Sequence, residues 1–207
     1  MKNFFLAISS GIILAIAWPT YGFPLLLFFG FVPLLIATRN YLRTGIKRPA
    51  LKIFGSTYVS FFIFNIITTW WLYNSTGFGM WFAVLANALL MTSVWLLYVR
   101  ISKRFNTNLS LLFLVTLWMI FEYLHLNWDF SWPWLNLGNA FAITTGWIQW
   151  YEYTGTFGGT LWVWIVNALI FKAIIFYNEN NNPKLLIKNL LLPLVVIVLP
   201  IAISQIL

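Results

Sequence analysis

The chain has 207 residues, of which 61% are apolar, 20% aromatic and 8% charged, with 12 Lys+Arg against 4 Asp+Glu for a net charge of +8. Soluble domains carry about a quarter charged residues, so an ordinary water-facing surface and a disordered chain are both excluded. The lack of cysteine excludes a disulfide scaffold, a thiol nucleophile and a Cys-based metal site within these residues, and at about 20 residues per span the length holds roughly six to eight transmembrane helices and little else.

The apolar stretches in chain order are residues 4–17, 23–38, 53–73, 81–99, 109–126, 160–177 and 190–207. Each is too long for a typical strand, so the predicted fold is all-α: a polytopic membrane bundle of about seven helices forming one membrane domain over residues 1–207. The first two stretches are short. They read as two spans joined by Trp18, Pro19, Thr20, Tyr21 and Gly22, with a non-crossing helical hairpin as the alternative. Lys2, the apolar run 4–16 and the small residues Ala15 and Ala17 imitate a secretory signal, but bulky Trp18 and Pro19 fit a cleavage site poorly.

Charge sets the expected orientation. Lys2 precedes the first stretch; Arg39, Arg43, Lys47, Arg48 and Lys52 lie between the second and third. Arg100, Lys103 and Arg104 follow the fourth, Lys172 sits near the end of the sixth, and Lys184 and Lys188 precede the seventh. In a seven-span model every positive residue falls on one side, while Asp129 and Glu152 fall on the other. The positive-inside rule then predicts a cytoplasmic N-terminus and an extracytoplasmic C-terminus. The basic cluster from Arg39 to Lys52 follows the same rule, so its expected partner is anionic inner-leaflet lipid and not nucleic acid.

Residues 127–159 form the long outer segment, with Trp128, Trp132, Trp134, Trp147 and Trp150 beside Tyr151 and Tyr153. Trp and Tyr favour the headgroup region, so an extracytoplasmic interfacial segment is expected there. Pro133, Gly138, Gly146, Gly155, Gly158 and Gly159 argue against one continuous helix. Glu122 and His125, three apart at the outer end of the fifth span, share a helix face. A carboxylate at that depth must be paired or wet, either lining a polar site or clamping the following loop. Trp70, Trp71 and Tyr73 close the third span at the same level as Trp18, Trp132 and Trp134: an aromatic belt, or the wall of a lipid-accommodating groove. Asn65, Asn87 and Asn167 lie within spans, where helix packing and substrate contact are both open. No residue arrangement indicates a catalytic nucleophile with its base, and a lone histidine indicates no metal or cofactor site.

Residues 122–138, reading EYLHLNWDFSWPWLNLG, resemble the E-L-x-R … G-F-P-W-x-x-x-G stretch of bacterial apolipoprotein N-acyltransferases. The same family's membrane domain is similar in order elsewhere: an aromatic-proline turn at Trp18, Pro19, Phe23 and Pro24, then Trp70, Trp71, Leu72 and Tyr73 before Gly77, Phe78 and Gly79. Trp147, Ile148, Gln149 and Trp150 follow, then Gly155 to Gly158 and Asn167, Ala168 and Leu169. His125 stands where the family has arginine, and Ser131 and Trp132 replace Gly-Phe before Pro133.

The resemblance implies a multi-pass protein of the bacterial inner membrane serving lipoprotein biosynthesis. A nitrilase-like extracytoplasmic domain with a Glu-Lys-Cys triad takes an acyl chain from phospholipid as a thioester and passes it to the N-terminal diacylglyceryl-cysteine of a lipoprotein. Without cysteine, this chain is expected to bind lipid and anchor, with a lipid or substrate groove formed by Trp70, Trp71, Tyr73, Glu122, His125, Trp132, Pro133 and Trp134. Its expected partners are the phospholipid donor, the lipoprotein acceptor and a nitrilase-like domain lying beyond Leu207 or in a separate chain. The alternative is a small transporter or a lipid-binding scaffold without catalysis.

Overall fold

The computed structural model describes residues 1–19, 22–45 and 47–206. Thr20 and Tyr21 of the expected first turn, and Leu207 at the end of the expected seventh span, lie outside the described residues. Every regular element described is helical, which satisfies backbone polar groups within each segment where no water can do so. The elements are α1 (Lys2–Ile16), a 3₁₀ turn (Pro24–Leu26) running into α2 (Leu27–Gly30) and α3 (Val32–Arg43), then α4 (Pro49–Thr69), α5 (Gly77–Ser102), α6 (Thr107–Leu126), α7 (Tyr151–Asn180) and α8 (Pro183–Ser204).

Six segments are long and apolar enough to cross a membrane: Pro24–Arg43, Pro49–Asn74, Gly77–Ser102, Thr107–Leu126, Tyr151–Asn180 and Pro183–Ser204. The first predicted span is α1, also apolar but only 15 residues long. At 1.5 Å per residue it covers about 22 Å, less than the roughly 30 Å of a hydrocarbon core. It packs along α4 through small residues: a methyl group on Gly11 would collide with the Ser60 carbonyl oxygen. Such close approach is how helices gain contact where lipid removes the hydrophobic drive to associate.

The second span is broken, and the break has an identifiable partner. Phe31 N–H would ordinarily bond the Leu27 carbonyl one turn back. Instead the Asn167 side chain of α7 inserts between them, accepting from Phe31 N at 3.0 Å and donating to Leu27 O at 2.9 Å. Pro33, in the first turn of α3, has no N–H to offer Phe29 and favours the interruption. The Phe31 ring sits in the middle of the bundle, stacked on Trp164 at 4.2 Å and edge-on to Trp118 at 5.2 Å. Phe61 and Trp95 complete this fully buried aromatic cluster.

The peripheral helix is α8, with Leu191, Leu192, Leu194, Val195, Val198 and Leu199 exposed. It contains Pro193 and Pro200. Pro200 lacks the N–H that would bond Val196 O, and the Trp162 indole of α7 supplies it, at 2.6 Å. Beyond that contact, Ser204 Oγ accepts from Gln149 N at 3.1 Å, tying the end of α8 to the long connection before α7.

The basic helix termini gather at one end of the bundle. There Arg39 and Arg43 of α3 approach Glu179 of α7 at 2.6 and 3.5 Å, and Asn40 donates to Asn3 of α1 at 3.1 Å. The Trp-rich connection lies at the opposite end.

Candidate functional site

Residues 127–150 fold as a chain of bends and three short 3₁₀ turns, Pro133–Leu135, Leu137–Phe141 and Thr145–Trp147. Pro133 opens the first turn and Leu135, Leu137, Ala140 and Phe141 are buried, so the connection dips back into the bundle. Phe141 reaches Trp162 at 5.0 Å and Phe28 at 5.6 Å. The following helix starts at Tyr151, before the apolar run begins, and is interrupted at Gly155, whose φ of 64° is a left-handed conformation that glycine adopts freely.

Glu122 holds this connection. It is 1% exposed, and its carboxyl group is used wholly as an acceptor. Oε1 receives Trp118 Nε1 at 3.1 Å and the Leu137 backbone N–H at 2.9 Å; Oε2 receives Thr160 Oγ1 at 2.6 Å. Thr160 Oγ1 in turn accepts from Gly138 N at 3.1 Å, and Tyr151 OH donates to Gly138 O at 3.0 Å. Gly138 has no room for a side chain: a Cβ there would strike the Thr156 carbonyl oxygen. One buried carboxylate therefore links α6, the Leu137–Phe141 turn and α7, a satisfied polar network at a depth where an unsatisfied one would be costly.

His125, one turn further along α6, has a different setting. Its ring lies 5.1 Å from Phe121 and 5.3 Å from Trp128, and its backbone carbonyl accepts from Trp132 N at 3.2 Å. It is 7% exposed and borders two hollows between α5 and α6. Glu122 and His125 thus share a helix, but one faces the clamp and the other the hollows. Trp71 meets Trp134 edge-on at 5.7 Å, which joins the end of the third span to the Pro133–Leu135 turn. Trp70, Tyr73 and Trp134 are exposed, whereas Trp132 and Pro133 are half-buried. Trp18, placed by sequence at this aromatic level, is buried against Phe64 at 5.3 Å.

With this geometry in view, the comparison with known proteins is decisive on family. Residues 10–169 match the model of the apolipoprotein N-acyltransferase N-terminal domain. The chain belongs to this family. It is 27% identical over 203 residues to the apolipoprotein N-acyltransferase of Chlorobaculum tepidum, covering 97% of this chain and 36% of that protein. With the apolipoprotein N-acyltransferase of Geobacter metallireducens it is 26% identical over 210 residues, covering 97% of this chain and 39% of that protein. The chain thus spans little more than a third of the length of these relatives. No solved structure matches it.

The matched region includes the Glu122 clamp whole, from Trp118 to Thr160. The sequence singles out Glu122 but not its partners. Trp118 was within reach as the residue four back on the same helix. Thr160 and the Leu137 amide carry no local signal, because they lie 38 and 15 residues away. The three intramembrane asparagines are engaged with helices. Asn167 occupies the α2–α3 break, and Asn65 accepts from Asn87 at 2.7 Å while donating to Phe61 O at 2.8 Å.

Proposed function

We propose that these residues are the lipid-handling membrane portion of an apolipoprotein N-acyltransferase. They hold the phospholipid acyl donor and the diacylglyceryl-cysteine acceptor beside a nitrilase-like catalytic domain, and they contribute anchoring and positioning, not the nucleophile. The observation that carries this reading is the connection 127–150, which carries Trp132 and Trp134 and is folded back onto the bundle by Glu122 within the family-matched region, with Trp71 packed against Trp134. A surface of indole rings around apolar hollows suits a lipid's headgroup-to-chain boundary. Holding two lipids in register near a reacting centre would supply the orientation part of catalysis. With no cysteine in the 207 residues, a thioester would have to form on another part of the enzyme.

In this reading the basic end faces the cytoplasm of a bacterium, the Trp-rich end faces outward, and residues 127–159 act as an interfacial segment of a single inner-membrane domain. The site comprises Trp70, Trp71, Tyr73, Trp132, Pro133, Trp134 and His125, with Glu122 as the residue that shapes it.

The purified 207-residue protein, given labelled phospholipid and a diacylated lipopeptide, tests the proposal. Binding of both without transfer is the expected result. Acyl transfer by this chain alone would overturn the division of labour, and absence of any lipid binding would overturn the lipid-handling role.

A further inference from the structure

Between α5 and α6 runs a furrow open along the bundle surface. Its inner stretch, walled by Val94, Leu97, Leu117, Ile120 and Leu124, encloses about 490 Å³. Toward the Trp-rich end it adjoins a second hollow of about 340 Å³, lined by Phe82, Ala86, Asn87, Phe130 and Trp132. Leu90, His125 and Trp128 border both. From Phe82 to Leu97 the furrow follows α5 for about 22 Å at 1.5 Å per residue, enough for an extended fatty-acyl chain. Aromatic rings frame its outer end: Phe130 lies 6.0 Å from Phe82 and 5.6 Å from Trp128.

The polar atoms there are unusual. Among the described residues five buried side-chain polar atoms have no hydrogen-bond partner, and three of them, Asn87 Oδ1, His125 Nε2 and Trp132 Nε1, belong to residues lining the outer hollow. Buried polar groups are almost always paired, so three unpaired ones on residues around one hollow are what a ligand group would satisfy; each atom is closed off by its neighbours, and the ligand reaches it as those side chains part. Their chemistry limits what it is. The indole N–H only donates, the amide oxygen only accepts, and the imidazole nitrogen does either according to its tautomer. Neither hollow is lined by Lys or Arg, so a phosphate would find no cation. A simple ester carbonyl would answer Trp132 and leave Asn87 without a donor.

We propose that this furrow binds a long-chain lipid whose acyl chain carries an uncharged group that both donates and accepts, a hydroxyl or a secondary amide, recognised by Asn87, His125 and Trp132. The inference deepens the lipid-handling role proposed above and rests on it.

Competition binding on the full 207-residue protein in detergent tests it, with tritiated 1-monooleoylglycerol as the probe and N-ethyl oleamide or methyl oleate as competitors. The hydroxyl and amide lipids are expected to bind at least about tenfold more tightly than methyl oleate, which corresponds to about 1.4 kcal/mol. Whichever of the two binds more tightly identifies the source of the group. Trp132→Phe and His125→Phe keep the rings but remove the nitrogens, and each should shrink that preference to about threefold or less. Ala86→Trp, filling the hollow, should abolish binding of all three, whereas Val198→Ala on the exposed face of α8 should change nothing.

Methyl oleate competing equally with the other two would overturn the polar subsite while leaving lipid handling intact. Unchanged binding in Ala86→Trp would overturn the location. Failure of the folded wild-type protein to bind any of the lipids would remove the lipid-handling role itself. If a variant does not fold, the three-lipid comparison on wild type still decides the donor–acceptor claim.

Discussion

Thr160 donates its hydroxyl to Glu122 Oε2 at 2.6 Å, joining two helices across 38 residues of chain. The same hydroxyl accepts from Gly138 N, so removing it affects the clamp and the turn together. Thr160→Val and Glu122→Gln are each expected to lower stability by about 1–3 kcal/mol, the range for stranding a buried polar group. Because they break one network, the double variant should lose at least about 1 kcal/mol less than the sum. Unfolding in detergent measures the energies, and limited proteolysis within 127–150 reports the loop. Additive losses would dissolve the clamp.

A second coupling joins α7 to α8. Trp162 supplies to Val196 O the hydrogen bond that Pro200 cannot. Trp162→Phe should therefore destabilise the wild-type protein by about 1 kcal/mol and have a much smaller effect in a Pro200→Ala background, where the alanine N–H bonds Val196 within the helix. A cycle on detergent melting curves checks this, and equal losses in both backgrounds would contradict it.

Long apolar runs between basic clusters make the spans legible in the sequence, and six of the seven expected emerge as helical segments long enough to cross a membrane. The short first stretch, 4–17, foreshadows the 15 residues of α1, but local composition does not reveal that the second span breaks at Phe31, because the group that breaks it is Asn167, 136 residues further on. Likewise Tyr151, Glu152 and the glycines before Thr160 depress hydropathy, so the start of α7 is hidden even though its backbone is already helical apart from Gly155. Glu122, His125 and the Pro-Trp turn stand out because charged and aromatic residues are conspicuous against an apolar background. Which of them turns inward depends on partners far away in the chain. Asn87, which the sequence leaves open between packing and contact, packs through Nδ2, bonded to Asn65, while its Oδ1 has no hydrogen-bond partner among the described residues.

Asn167 gives a prediction of rank order. Asn167→Leu removes the inserted amide, but Phe31 N and Leu27 O can close on each other. Asn167→Asp keeps the acceptor for Phe31 N and sets a carboxylate oxygen against the Leu27 and Val163 carbonyls, which now accept from the Asn167 amide at 2.9 Å. Aspartate should therefore be worse than leucine, with losses of about 3 kcal/mol or more against about 1–3. Folded yield and melting temperature in detergent measure the order, and aspartate as the milder change would refute the insertion.

Charge predicts the orientation, and these 207 residues are suited to testing it because they contain no cysteine. Thr107 starts α6 at the basic end, and exposed Tyr153 lies near the start of α7 at the Trp-rich end. Lys and Arg resist translocation and mark cytoplasmic loops. In bacterial spheroplasts Tyr153→Cys should react with a membrane-impermeant maleimide directly, and Thr107→Cys only after permeabilisation. Neither substitution alters a positive charge, so neither disturbs the signal being tested. The opposite labelling would place the basic end outside and remove the Trp-rich surface from the compartment where an extracytoplasmic catalytic domain works.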